Sequence, residues 1–339
     1  MEQVLKRPPW WAWFSLMGLE IPSAAIAWAF AVSQSHLVVV STPWLYQFLF
    51  VAVWCVNMLD RVLKIFRGGP AAYSDECLLF AKKHCFVISL LIVVAAVTGL
   101  WIMFFQLGVV IFQFALLPGI CSLLFLYFSS NPHKKGSLSS GFVMASFFAA
   151  VSFSTGAGIP AYFYGTMGGG WGGQLSTPTW YLVALVILSM FSRKRWNEEE
   201  EEDGQDSAAR DMVSLVWMGV IVIYVVFCLA AAAREYTGDA WIYYGLAMAG
   251  VFMFVLDRLK KNMPPLLLYT LSWVALIFPL LLSGILAQAS SCLTGKNFLG
   301  PDTAKRRKIG KMIFCGCNTG DAVLDSAPQT RSACKQVAR

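Results

Sequence analysis

Runs of about twenty apolar residues recur along most of this chain, separated by short segments rich in charge, glycine or proline. A hydrocarbon core roughly 30 Å thick takes about 20 residues of helix to cross, at a rise of about 1.5 Å per residue. Membrane-spanning helices are therefore predicted over 11–32, 43–63, 85–105, 108–128, 141–164, 180–191, 212–233, 241–256 and 266–286, which makes nine. The sixth is short and only residues 106–108 separate the third from the fourth, so eight or ten spans stay open. A β-barrel does not fit, because its strands would alternate polar and apolar positions over about ten residues. The first run follows Lys6 and Arg7 as a secretory signal would. It is longer than a signal's apolar region of about 7–15 residues and carries Glu20, so a retained helix is expected.

Composition agrees with the pattern. The 339 residues are 58% hydrophobic and 13% charged, with a mean hydropathy of +0.62, whereas soluble domains are about 25% charged. The net charge of +7 changes the picture only once its placement is read. Lys and Arg in short loops stay on the cytoplasmic side. With the N-terminus inside, sixteen of them fall inside, from Lys6 and Arg7 to Arg258, Lys260 and Lys261, against Arg234 alone in the outer loops. The charge thus reports topology, and no nucleic-acid partner is implied. The chain is read as a cytoplasmic N-terminus at 1–10, a transmembrane domain at 11–286 and a basic tail at 287–339, expected to be disordered. Nine spans place that tail outside despite its cluster Lys305, Arg306, Arg307 and Lys308; an even number of spans would place it inside. Its Cys292, Cys315, Cys317 and Cys334 could pair only in an oxidising compartment.

Charge near a bilayer is costly and marks function by default. The second span ends in Asn57, Asp60, Arg61 and Lys64, whose offsets of three, four and seven set a carboxylate, an amide and two cations on one helix face. That group can hold a metal–phosphate headgroup, or it can be a helix end with Asp60 paired to Lys64 and cations snorkelling to the interface. The eighth span ends in Leu256-Asp257-Arg258, echoing Leu59-Asp60-Arg61 on the same side. Between the sixth and seventh spans lies an acidic run in which Glu202 and Asp206, four apart, have the spacing to share a divalent ion if helical; a solvated loop is the plainer alternative. Glu20, beside Pro22, is an acid within the first span.

Together these segments resemble the UbiA-type membrane prenyltransferases, which make quinones, haem O and related lipids, and within them a divergent bacterial branch. The resemblance covers roughly residues 11–286. It implies a nine-helix bundle in the inner (cytoplasmic) membrane and a prenyl diphosphate held at the cytoplasmic helix ends by Asn57, Asp60, Arg61, Lys64, Asp257 and Arg258. It also implies Mg2+ on Asp60, Glu202 and Asp206. The family's first motif, Asn-Asp-x-x-Asp-Arg-x-x-Asp, is degenerate here: Asp60 and Arg61 match, Asn57 replaces its first aspartate and Lys64 its last. A cation where magnesium would sit weakens metal binding, so transferase activity is expected to be weak or lost, and no catalytic residue is assigned.

The glycine-rich segment 165–174 carries no acid, base or phosphate-binding lysine and reads as a loop. His36, His84 and His133 are too far apart for a metal triad or haem pair. Three functions fit: a prenyltransferase-like lipid-diphosphate binder, a small-molecule transporter, and a non-catalytic membrane assembly protein. The charge asymmetry makes a direct prediction. Single-cysteine variants labelled in intact cells should be protected from an impermeant reagent in loops 64–84, 129–140, 192–211 and 257–265, and modified in loop 165–179. External labelling at position 203 would overturn the orientation.

Overall fold

Lipid offers no hydrogen bonds, so an apolar segment crossing it must satisfy its own backbone and coils into helix. The computed structural model of the chain describes residues 12–35, 42–67, 76–108, 110–129, 140–164, 177–201, 207–234, 240–260 and 263–294, and all regular structure among them is helical. The elements are α1 (Ala12–Leu16), α2 (Glu20–Ser35), α3 (Pro43–Arg67), α4 (Glu76–Lys83), α5 (Cys85–Trp101), α6 (Ile111–Ser129), α7 (Ser140–Tyr164), α8 (Thr177–Glu201), α9 (Ser207–Arg234), α10 (Ala240–Leu259) and α11 (Pro265–Thr294). The chain divides into a unit at Met1–Leu286 and a second at Ala287–Arg339. Of the second, only the last turns of α11 are described.

Helix occupies each of the nine predicted segments. Among the described residues, five helices are long and apolar enough to cross a membrane: Cys85–Leu107, Ile111–Ser129, Ser140–Phe163, Val213–Arg234 and Ala240–Leu259. They make the chain a multi-pass helical membrane protein. Their burial sorts them by position, since only 17% of the α5 window and 28% of the α9 window is covered by protein, against 61% for α7 and 56% for α10. On α5, Phe86, Leu90, Val93, Val97 and Leu100 point outward at helical spacing, and on α9 so do Val216, Val220, Ile223 and Phe227. Such continuous apolar faces suit acyl chains and would be intolerable in water. α7 and α10 are central.

Three boundaries differ from the sequence-based expectation. The first span is not one helix: it stops at Leu16 and restarts at Glu20. The sixth continues through its basic residues to Glu201, because Arg193, Lys194 and Arg195 lie over aromatic rings within the bundle rather than in a loop. Between the third and fourth, α5 runs into a π-helical turn, Ile102–Leu107, that ends at Gly108 with φ +75, so the chain reverses at a residue free of the Cβ penalty.

Association inside lipid depends on close approach and interhelical hydrogen bonds, since burying apolar surface gains little there. Ala24, Ala25, Trp28 and Ala29 of α2 join Ala150, Val151 and Ala157 of α7 in the main apolar core. α6 and α7 are clamped where Pro118 interrupts α6: Ser152 Oγ donates to the Pro118 carbonyl at 2.9 Å and lies 2.7 Å from Ser122 Oγ. α9 and α10 meet at Gly250, where an added Cβ would lie 2.8 Å from Val225 Cγ2 and 3.1 Å from the Tyr224 ring. Gly250→Ala should therefore cost about 1–3 kcal/mol by overpacking. Gly219→Ala, in open space on α9, should be neutral or slightly stabilising through helix propensity. Thermal melting in detergent checks this; equal melting temperatures for the two variants would contradict it.

Candidate functional site

The break in the first span organises the charged end of the bundle. Gly18 adopts φ +63. Its N–H bonds the Ser15 carbonyl at 3.0 Å while the Leu19 N–H bonds the Phe14 carbonyl at 3.0 Å, the paired closure of a Schellman C-terminus. The last carbonyls of α1 then have no continuing helix to bond, and lipid cannot replace it. Donors from α3 do. Trp54 Nε1 donates to Met17 O at 3.0 Å and Asn57 Nδ2 to Gly18 O at 3.2 Å. Arg61 donates to Leu16 O at 2.9 Å and Ser15 O at 3.1 Å. The φ of +63 favours glycine here, and a Cβ on residue 18 would lie 2.4 Å from Met58 Cε and 2.5 Å from Asn57 Nδ2, so both side-chain ends would have to shift.

Arg61 also reaches Glu20 Oε1 at 3.3 Å, with both side chains buried. Glu20 opens α2, so its carboxylate sits at the positive end of one helix dipole and the Arg61 guanidinium at the negative end of another. Ser15 Oγ and Thr270 Oγ1, 2.8 Å apart, tie α1 to α11.

The single polar face expected on α3 is in fact two. Asn57 and Arg61 serve the break. Asp60 and Lys64 form a second pair, in which Asp60 accepts from Lys64 Nζ at 2.7 Å and from Ser129 Oγ of α6 at 2.7 Å. Asp257 is buried and plays a comparable part on α10: it accepts from Arg195, from Trp196 Nε1 at 2.8 Å, and pairs with Lys260 at 3.7 Å. Arg258 does not join it; it is exposed, with its guanidinium 5.7 Å from the Phe254 ring. Each aspartate of the two Leu-Asp-Arg segments thus binds a lysine one turn on and a donor from another helix, while the two arginines part company.

In the sequence, Arg193 counts only toward topology. The structure sets its guanidinium 4.1 Å from the Trp273 ring and 4.9 Å from the Tyr269 ring, both on α11, and within electrostatic reach of Glu20. The C-terminal ends of α3, α6, α8 and α10 and the N-terminal parts of α2 and α11 therefore meet at one end of the bundle. A sequence signal for the break does exist: Gly18-Leu19-Glu20 followed by Pro22 is a helix stop and restart. For Arg193 the nearest signal is three basic residues directly continuing an apolar run.

Of the implied magnesium ligands, Glu202 and Asp206 lie outside the described residues. Asp60 fits poorly, because both its oxygens have protein donors and one is an ammonium 2.7 Å away; no step is derived through the metal. Among the described residues, no three of the histidines, cysteines and acids cluster as a metal site. His84 packs against Phe80, with ring centroids 4.7 Å apart and the planes tilted by 45°.

No protein-family model, curated protein or solved structure matches the chain.

Removing one partner of a buried pair leaves an uncompensated charge and costs about 3–5 kcal/mol. Arg61→Leu strands Glu20 and also the Ser15 and Leu16 carbonyls, so it should unfold the first span or lower the melting temperature sharply. Glu20→Gln removes charge but keeps an acceptor and should be much milder. The reverse order in detergent melting would refute the anchoring role.

Proposed function

We propose that this chain is a nine-span protein of the cytoplasmic membrane that binds a prenyl or similar lipid diphosphate, headgroup at the charged end of the bundle and chain among its apolar helices. The observation that carries the reading is an excess of positive charge there among the described side chains. Arg61, Lys64, Arg193, Arg195 and Lys260 face the carboxylates of Glu20, Asp60 and Asp257. Surplus cations in a partly buried, low-dielectric setting call for an anion, and phosphate oxygens suit arginine forks well. The placement matches what a headgroup at a membrane face needs.

The Lys64–Asp60 contact supports the view that any transferase activity is weak or lost, since lysine already neutralises the carboxylate a metal would use. If the chain is an enzyme, prenyl transfer is its reaction. Transport draws support from the broken first helix, because discontinuous helices line many substrate sites. The carbonyls of this break, however, are already filled by Trp54, Asn57 and Arg61, so the headgroup reading ranks first.

Purified protein should bind geranylgeranyl diphosphate saturably, with an affinity that changes less than about twofold when EDTA replaces magnesium, because arginine rather than metal carries the contact. Tryptophan fluorescence or calorimetry would measure it. Absence of binding in both conditions would leave transport or assembly, and robust magnesium-dependent transfer abolished by Asp60→Ala would reverse the view of lost activity.

A further inference from the structure

Buried polar atoms in folded proteins are nearly always paired, so those that are not call for an explanation. Several lie together around Arg193. Its Nε and Nη2, the Nε1 of Trp273 and the Oε2 of Glu20 are shielded from solvent and have no hydrogen-bond partner among the described protein atoms. Trp273 and Glu20 are themselves more than nine-tenths buried. The side chains come from α2, α8 and α11 and converge on one guanidinium, which touches the Trp273 and Tyr269 rings and interacts with Glu20. Tyr269 lies between Arg193 and Glu20 and hydrogen-bonds with each of them, so both side chains are partly satisfied; as a neutral phenol it leaves the charge balance unchanged.

The identity of the orphaned atoms is informative. Nε and Nη2 form one edge of the guanidinium plane, the fork that meets two oxygens of a phosphate or carboxylate side by side. Aromatic rings within 4.1 and 4.9 Å of its central carbon hold the group by cation–π attraction without using those in-plane donors. The adjacent Glu20 is neutralised by Arg61, so Arg193 is the uncompensated charge of this cluster. Glu20 Oε2 adds a lone acceptor. A complementary ligand is therefore anionic, offers at least two oxygen acceptors, and carries one O–H to donate to Glu20. A singly protonated phosphate has all three properties.

We infer that Arg193, Trp273 and Glu20 form a phosphate-binding pocket inside the bundle that takes the terminal phosphate of the bound molecule. The ligand class rests on the headgroup reading proposed above; the pocket itself rests on the orphaned atoms. It moves the anion contact away from Asn57, Asp60, Arg61 and Lys64, each of which already bonds protein groups, and places it on α8 and α11. Arg61 becomes a positioning residue that fixes Glu20.

The test compares wild type with Arg193→Gln, Trp273→Phe and, as a control, Arg234→Gln at the exposed last residue of α9, each in detergent, by titration with geranylgeranyl diphosphate. Arg193→Gln should weaken binding at least about tenfold and Trp273→Phe by about three- to tenfold, the usual range for a lost charged or neutral hydrogen bond, and Arg234→Gln should bind as wild type. Trp273→Phe deletes a donor that has no partner in the free protein, so its ligand-free melting temperature should not fall. The rise in melting temperature on adding ligand should shrink with it. A merely structural residue would show the opposite pattern. Competition with inorganic pyrophosphate separates the sources: displacement at similar concentrations assigns a free phosphate, and displacement only at far higher ones assigns a lipid headgroup. Wild-type binding with unchanged affinity in both Arg193→Gln and Trp273→Phe would overturn the pocket, leaving buried water as the partner of these atoms, while the headgroup reading survives. No binding by wild type would overturn both.

Discussion

The end of α1 is a helix C-terminus packed against the bundle, with Ser15 and Leu16 buried, and the rest of the charged end depends on how its carbonyls are satisfied. Four backbone oxygens, from Ser15 to Gly18, receive side-chain donors from a single face of α3. Because Trp54, Asn57 and Arg61 are rigidly spaced on one helix, they set the height and rotation of α1 and α2 against α3 together. A slip of one residue along α3 would bring Cys55, Met58 and Val62 to these acceptors in place of the three donors. Gly18 is the complementary constraint, since the break needs a positive φ and a Cβ there would displace the ends of Met58 and Asn57, the second of which is one of the donors.

The buried Arg61–Glu20 pair should be weighed within that arrangement rather than as a source of net stability. Taking two ions out of water costs several kcal/mol each, and their attraction roughly returns it. What the pair adds is direction. Arg61 sits at the negative end of α1 and Glu20 at the positive start of α2, so each ion also meets a helix dipole of the right sign. Swapping the two residues would reverse both dipole contacts and abandon the carbonyls. The arrangement specifies one geometry of the break, and the break in turn presents Glu20 to Arg193.

Much of this architecture is legible in the chain because one force dominates it. Apolar length fixes where helices form, and helix lies over every predicted segment. Boundaries are less legible wherever polar atoms decide them. Three consecutive cations look like a loop, which would stop the sixth span before Arg193; the helix continues because aromatic rings of α7, α9 and α11, from Phe142, Trp217, Tyr269 and Trp273, receive them. Those partners are distant in sequence, and no local pattern announces them. Helical spacing correctly places the four polar residues of α3 near one another, yet spacing cannot say that Asn57 and Arg61 face α1 while Asp60 and Lys64 face α6.

This division bears on what a degenerate motif means. A motif inherited for ligand binding can keep its residues while their atoms turn to internal partners, and here the surviving Asp60 and Arg61 are both engaged with the protein. A binding site should instead show the reverse, polar atoms held in place and left open. Among the described residues, Arg193, Trp273 and Glu20 bring such atoms together from three helices, and leaving buried donors and an acceptor without a partner is costly. Natural folds tolerate such a cost where something else recovers it, and a bound anion is the simplest partner that recovers it for all three side chains together.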